Sequence, residues 1–260
     1  MYFFKKHHIT SFLIITTLIF GCFFHLTPEA FADNYAILVD DTSSVTHETP
    51  CAAASTSNDD CDLHEVFLGP GNAAAIAFSL NRDGNTNRNF KISIDDNISQ
   101  IAINQVIPIQ FDGDCSNCSI EIDGAKSNGT KTRIIPQSST PPASAFLVSE
   151  DIGNITIKNF DFQGFSGPAI VVQSIHNTRV EISSNSFGQI NPSSQANHTG
   201  ITVTDGDRLL IRNNVFGRQT DNGIELKGSS SNNTIRENLF GVASVTDLAN
   251  FIPGIQNDAF

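Results

Sequence analysis

Glu225, Lys227 and Asp258 are the residues of this 260-residue chain whose types and spacing come nearest to a reactive set. Two carboxylates flanking one bond are the minimum for glycoside hydrolysis, and a lysine beside them governs their ionisation. The other chemistry-bearing residues read as structure. Beyond residue 32 the cysteines are Cys51, Cys61, Cys115 and Cys118, an even number that predicts two disulfides in an exported protein. Three connectivities are open, and neighbour pairing is the simplest. Cys115-Ser-Asn-Cys118 has the spacing of a redox or zinc motif, but no second such pair accompanies it. His47, His64, His176 and His198 show no metal-ligand spacing, so no metal site is expected. Asp205-Gly-Asp207-Arg208 reads as an acidic turn. Asn128-Gly-Thr130 and Asn197-His-Thr199 match the glycosylation rule, a pattern that Asn- and Thr-rich sequence generates by composition.

The elements that must position these residues are copies of one another. Ile157, Ile182, Ile211 and Ile235 recur, and a phenylalanine follows each five residues later: Phe162, Phe187, Phe216 and Phe240. Asn185, Asn214 and Asn238 lie three residues past the isoleucine, with Phe160 in that place in the first copy. A small residue and an isoleucine open the next segment at Ala169-Ile170, Gly200-Ile201, Gly223-Ile224 and Gly254-Ile255. Such a period marks a solenoid. Within each copy apolar and polar residues alternate, as in Ile201-Thr202-Val203-Thr204, which predicts strands. The expected fold is all-β: parallel strands wound into a coil, with inward Ile and Phe stacked on their equivalents about 4.8 Å away. The asparagines fall where a strand turns, and their amides are expected to bond the backbone and one another along the axis.

The phrases Ile182-Ser-Ser-Asn185-Ser-Phe187-Gly188, Ile211-Arg-Asn-Asn214-Val-Phe216-Gly217 and Ile235-Arg-Glu-Asn238-Leu-Phe240-Gly241 resemble the right-handed parallel β-helix repeats of the pectate-lyase-like superfamily. The resemblance covers roughly residues 90 to 260. Cys61-Asp-Leu-His-Glu-Val66 partly resembles the Cys-Ser-Leu-Arg-Glu-Ala segment at the start of many secreted β-helix proteins, with His64 and Val66 departing from it. That resemblance implies an N-terminal cap over the open end of the coil. It also implies that a sugar-cleaving member would work along the Gly-Ile-x-Val strand stack. The outward residues there are Leu147 and Ser149, Val171 and Gln173, Thr202 and Thr204, Glu225 and Lys227, then Gln256 and Asp258. Glu225 and Asp258 would stand roughly 8 Å apart, inside the window of an inverting pair. Lys227, however, is expected to pair with Asp258 across the strands. A lyase of this kind would need calcium held by several carboxylates; otherwise no cofactor is expected.

Residues 1–32 read as a signal peptide: Lys5 and Lys6, an apolar stretch from Ile9 to Leu26, and Ala30-Phe31-Ala32 as the cleavage site before Asp33. The alternative is a lipoprotein cleaved before Cys22. Residues 33–90 then hold a strand and the capping segment, and 91–260 the β-helix. No later segment is apolar and long enough to span a bilayer. Removing Lys5, Lys6 and Glu29 from the 15 basic and 27 acidic side chains leaves 13 and 26, which argues against a nucleic-acid partner. The chain stops six residues after Gly254-Ile255, so the last coil is expected to be uncapped, either in a fragment or in an end buried by self-association. The reading is an exported surface or interaction module, secreted, periplasmic or at the cell surface, facing a polysaccharide or cell-surface ligand. The alternative is a polysaccharide lyase, hydrolase or epimerase.

Overall fold

Strands form where the apolar period is two, and all of them lie parallel. The computed structural model describes residues 33–39, 88–109, 118–137, 142–149, 153–188 and 195–241. One seven-stranded sheet takes the first strand of each coil: β1 (Asp33–Val39), β2 (Arg88–Ile94), β5 (Ser119–Asp123), β8 (Asn154–Lys158), β11 (Arg179–Ser183), β14 (Leu210–Arg212) and β17 (Thr234–Arg236). A second sheet collects β3 (Gln100–Ile103), β6 (Thr132–Pro136), β9 (Phe160–Phe162), β12 (Ser186–Phe187), β15 (Val215–Phe216) and β18 (Leu239–Phe240). The third collects β4 (Ile107–Ile109), β7 (Phe146–Val148), β10 (Pro168–Gln173), β13 (Thr199–Thr204) and β16 (Ile224–Lys227). The chain visits the three sheets in turn and returns one strand further along each. This is a parallel β-helix, as the repeat predicts.

Register explains the repeat. Ile157, Ile182, Ile211 and Ile235 stand opposite one another in the first sheet. Phe162, Phe187, Phe216 and Phe240 do so in the second, and Ile170, Ile201 and Ile224 in the third. The phenylalanine rings form one column, stacked at 5.1 Å between Phe162 and Phe187, and at 4.8 Å in each of the next two steps. Phe162, Phe187 and Phe216 are buried. The inter-strand spacing of about 4.8 Å is also near the ideal ring separation for offset stacking. One residue type can therefore be repeated coil after coil without overpacking.

The asparagines hold the turn between the first and second sheets. Asn185 Nδ2 donates to the Ile157 carbonyl, Asn214 Nδ2 to that of Ile182, and Asn238 Nδ2 to that of Ile211. Each Oδ1 accepts the backbone N–H one coil earlier: Phe160 to Asn185, Asn185 to Asn214, and Asn214 to Asn238. The residue before each ladder position has positive φ, at Asn159, Ser184, Asn213 and Glu237, and the amides satisfy the backbone groups freed by that bend. The ladder ends at Phe160, whose ring offers no hydrogen bond. Thr132, its equivalent one coil earlier, is buried with Oγ1 unpartnered. A second amide, Asn197, braces the turn between the second and third sheets: it accepts from Phe165 N and donates to the Phe162 carbonyl. Asn197 is buried, so the glycosylation pattern at that position has no accessible nitrogen.

The small residue before the third-sheet isoleucine is a steric requirement. A Cβ on Gly200 would lie 2.7 Å from the Phe216 ring and closer still to the Gly223 carbonyl. Gly200→Ala is therefore expected to cost about 1–3 kcal/mol by overpacking, measured as a lower urea midpoint at unchanged slope. The same change at Gly129, where an added Cβ meets nothing within 4 Å, serves as the contrast. Because Gly129 has φ +80, its cost is backbone strain alone, about 1 kcal/mol.

Candidate functional site

Alternation sends every second side chain outward, so each sheet presents columns that run along the helix axis. On the third sheet Leu147, Val171, Thr202 and Glu225 share one column. Gln173, Thr204 and Lys227 share the next. This is the face the repeat picks out as the groove, and it is apolar at one end and charged at the other. Glu225 Oε2 lies 2.9 Å from Lys227 Nζ and accepts from Thr202 Oγ1. The ion pair therefore runs along the strand, between residues two apart on one face. Asp258, Gln256, Cys51, Cys61, Cys115, Cys22 and the Ala32 side of the cleavage site lie outside the described residues. Cys118 is fully buried, immediately before β5.

The first sheet carries more charge. Lys91, Glu121, Thr156, Glu181, Leu210 and Thr234 form one outward column; Ser93, Asp123, Lys158, Ser183, Arg212 and Arg236 form its neighbour. Lys158 Nζ bridges two acids, at 3.0 Å from Glu121 and 3.4 Å from Asp123. Lys91 reaches Glu121 from the other side at 3.6 Å. Arg212 Nε and Nη2 both donate to Glu181 Oε1. On the second sheet Arg133 pairs with Asp161 at 3.2 Å, Gln163 Nε2 donates to the same oxygen, and Lys131 Nζ donates to Ser186 Oγ. The signal for these pairs in the sequence is the alternation of the Ile-x-Ile strands, whose outward positions carry the charges.

Of these carboxylates, Asp123 is held ionised. Burial works to raise the pKa of Asp123, but hydrogen bonds from Asn159 and the Ala125 N–H and the charge of Lys158 outweigh it, and the pKa falls below the usual aspartate value. Burial likewise opposes the charge of Lys158, yet Glu121 and Asp123 hold its pKa above the usual lysine value. Burial lowers the pKa of Lys131 against the opposing pull of Asp161. A lysine beside a serine can activate it as a nucleophile. Ser186 is buried mid-face within β12, however, where the backbone N–H groups belong to the strand ladder and cannot receive an oxyanion.

The signs set a pH dependence. The depressed pKa of Asp123 makes its contribution complete above the ordinary carboxylate range and lost as pH falls through the lowered folded value. The raised pKa of Lys158 makes its contribution complete below the ordinary lysine range and lost as pH rises through the higher folded value. Thermal melts from about pH 7 to about pH 3 should show an acid-side fall that is shallower in Asp123→Asn.

The acidic turn is a bracket between coils. Asp205 Oδ1 accepts from Ser229 N, and Asp207 Oδ1 accepts from Ser231 N and Oγ. His176 Nδ1 lies 3.8 Å from Asp207, and His198 Nδ1 4.0 Å from Asp221; both imidazoles are more than half exposed. Among the described residues no group of three or more His, Cys, Asp or Glu is placed to hold a metal ion, and no helix is long and apolar enough to cross a membrane. In comparisons with known proteins, no family model, curated protein or solved structure matched the chain.

Proposed function

We propose that the chain is an exported β-helix of the pectate-lyase-like kind that acts as a surface or interaction module, an adhesin or a cell-envelope stalk facing a polysaccharide or other cell-surface ligand. The observation that supports this is the state of the outward carboxylates. Glu121, Asp123, Asp161, Glu181 and Glu225 each lie within 4.0 Å of a lysine or arginine. A general acid at neutral pH needs a raised pKa, and a general base needs a free lone pair aimed at substrate. Ion pairs with lysine and arginine supply neither; those that cross between strands stiffen the faces of a rod.

The proposal includes cleavage before Asp33, a capping segment around Cys61, and two disulfides among Cys51, Cys61, Cys115 and Cys118. It also includes end-to-end self-association. Export and pairing are checked by mass spectrometry of the secreted protein, which should begin at Asp33 and show no free thiol.

The decisive test is a screen of the purified full chain against uronate and neutral polysaccharides, with and without calcium. Binding without turnover is expected. Turnover abolished by Glu225→Gln would overturn the proposal in favour of a lyase, hydrolase or epimerase acting on the third sheet. In that reading Asp258 is the second carboxylate.

A further inference from the structure

A cleft of about 410 Å³ opens beside the first sheet, where the chain arrives from the third. Its lining includes Asn154, Arg179, Arg208, Asn232 and Thr234, with Leu209 and Leu210 beside them and Gly153 leaving room at one end. These residues belong together by register. Arg179 stands opposite Asn154. Arg208 lies two residues before β14, whose Leu210 pairs with Glu181, two residues after Arg179. Asn232 likewise lies two residues before β17, whose Thr234 pairs with Leu210. Adjacent coils thus bring two arginines to one cleft.

The pair is not neutralised by a neighbouring described carboxylate. Like charges directly opposite in a sheet repel, and the chain carries 27 acidic side chains against 15 basic ones, so carboxylates are plentiful. Lys91, Lys158, Arg133, Arg212 and Lys227 each reach one. Arg179 and Arg208 do not. Among the described residues neither makes an ion pair or a side-chain hydrogen bond. The nearest acid in sequence, Asp207, is turned to Ser231 and to His176. A cleft walled by two unneutralised guanidinium groups, with asparagine and threonine side chains beside them, is matched to an anion with several acceptor oxygens.

We propose that the Arg179–Arg208 cleft binds a tetrahedral oxyanion of the sulfate or phosphate class, one guanidinium on each side of the anion and the polar groups of Asn154, Asn232 and Thr234 on what surrounds it. The proposal rests on reading the chain as an interaction module, to which it assigns a contact point. Planar, bidentate donors on neighbouring coils reach different oxygens of one tetrahedral group, a geometry that a single point charge does not offer.

The test uses the purified full chain, with calorimetric titrations of sodium sulfate, sodium phosphate, dextran sulfate and unsulfated dextran at matched ionic strength. Sulfate or phosphate should bind, and dextran sulfate should bind where dextran does not. A free ion that binds while dextran sulfate fails places the source in solution; dextran sulfate that binds more tightly places it on a polymer. Both outcomes support the cleft. Arg179→Gln/Arg208→Gln should weaken binding by about tenfold or more through loss of charge-assisted contacts. The charge-matched Lys126→Gln/Arg218→Gln should leave it within about twofold, because its charges lie outside the cleft. Should the double variant not fold, Arg208→Asn, which copies Asn232 one coil on, supplies the same comparison. Equal binding by the parent and the cleft variants, or no binding in any arm, overturns the proposal. Loss of the cleft with retained attachment to cell-surface polysaccharide leaves the interaction module standing, whereas polysaccharide turnover would refute that reading and leave the cleft untouched.

Discussion

Phe187→Asp should abolish the folded state at room temperature or lower its stability by several kcal/mol. Phe187 is fully buried in the middle of the phenylalanine column, at 5.1 Å from Phe162 and 4.8 Å from Phe216. Truncating a buried phenylalanine costs about 3–5 kcal/mol, and a buried carboxylate adds a further penalty. Small domains hold only about 5–15 kcal/mol in total. The measurement is a urea titration followed by far-ultraviolet circular dichroism, with Phe187→Leu and Phe240→Asp alongside. Leucine retains most of the apolar volume and should cost less than alanine would. Phe240 is only partly buried, so a carboxylate there keeps some water and should be tolerated better. Equal losses at both positions would contradict a stacked core in which each ring depends on its two neighbours.

Asn214→Ala should be nearly as damaging despite removing no apolar surface. Asn214 is fully buried. Its Oδ1 accepts from the N–H of Asn185 and from Asn185 Nδ2, and its Nδ2 donates to the Ile182 carbonyl and to Asn238 Oδ1. Alanine strands these groups where water does not reach, and each unsatisfied buried group costs about 1–3 kcal/mol. The expected loss is therefore about 3 kcal/mol or more. Asn214→Asp is the sharper comparison: it keeps an acceptor for Asn185 but turns a charge toward the Ile182 carbonyl, and should do no better than alanine. Asn213→Gly, one residue earlier at φ 55, replaces an exposed asparagine in the left-handed region and should be close to neutral. Amide hydrogen exchange at Asn185 gives an independent reading, since its N–H loses its acceptor only in Asn214→Ala.

The Asn column and the Phe column were legible because both obey the repeat. A side chain that meets its own kind one coil away must recur at a fixed place in every copy, so its spacing is visible in one dimension. The same holds for the alternation that sorts each strand into inward and outward residues. The brace at Asn197 was not legible because its counterpart one coil on is Gln219, whose Nε2 donates to the Phe187 carbonyl as Asn197 Nδ2 does to that of Phe162, and the two differ in residue type and spacing.

The outer faces were less legible for a related reason. Which residues point outward follows from period two, and on that basis Leu147, Val171, Thr202 and Glu225 were placed in one column before any coordinates. Which of them pair does not follow. Lys227 can reach along its own strand or across to the next coil, and long side chains choose by local geometry and by competing partners. The structure sets Lys227 on Glu225, Lys158 between Glu121 and Asp123, and Arg212 on Glu181.

Inward periodicity thus determined the coil and the residues of its core, because stacking identical side chains is a constraint the sequence must satisfy position by position. Only the tertiary structure decided that the carboxylates of the charged faces are neutralised while Arg179 and Arg208 are not. That outcome depends on the distances between side chains on different coils, and those distances exist only once the register between coils is set.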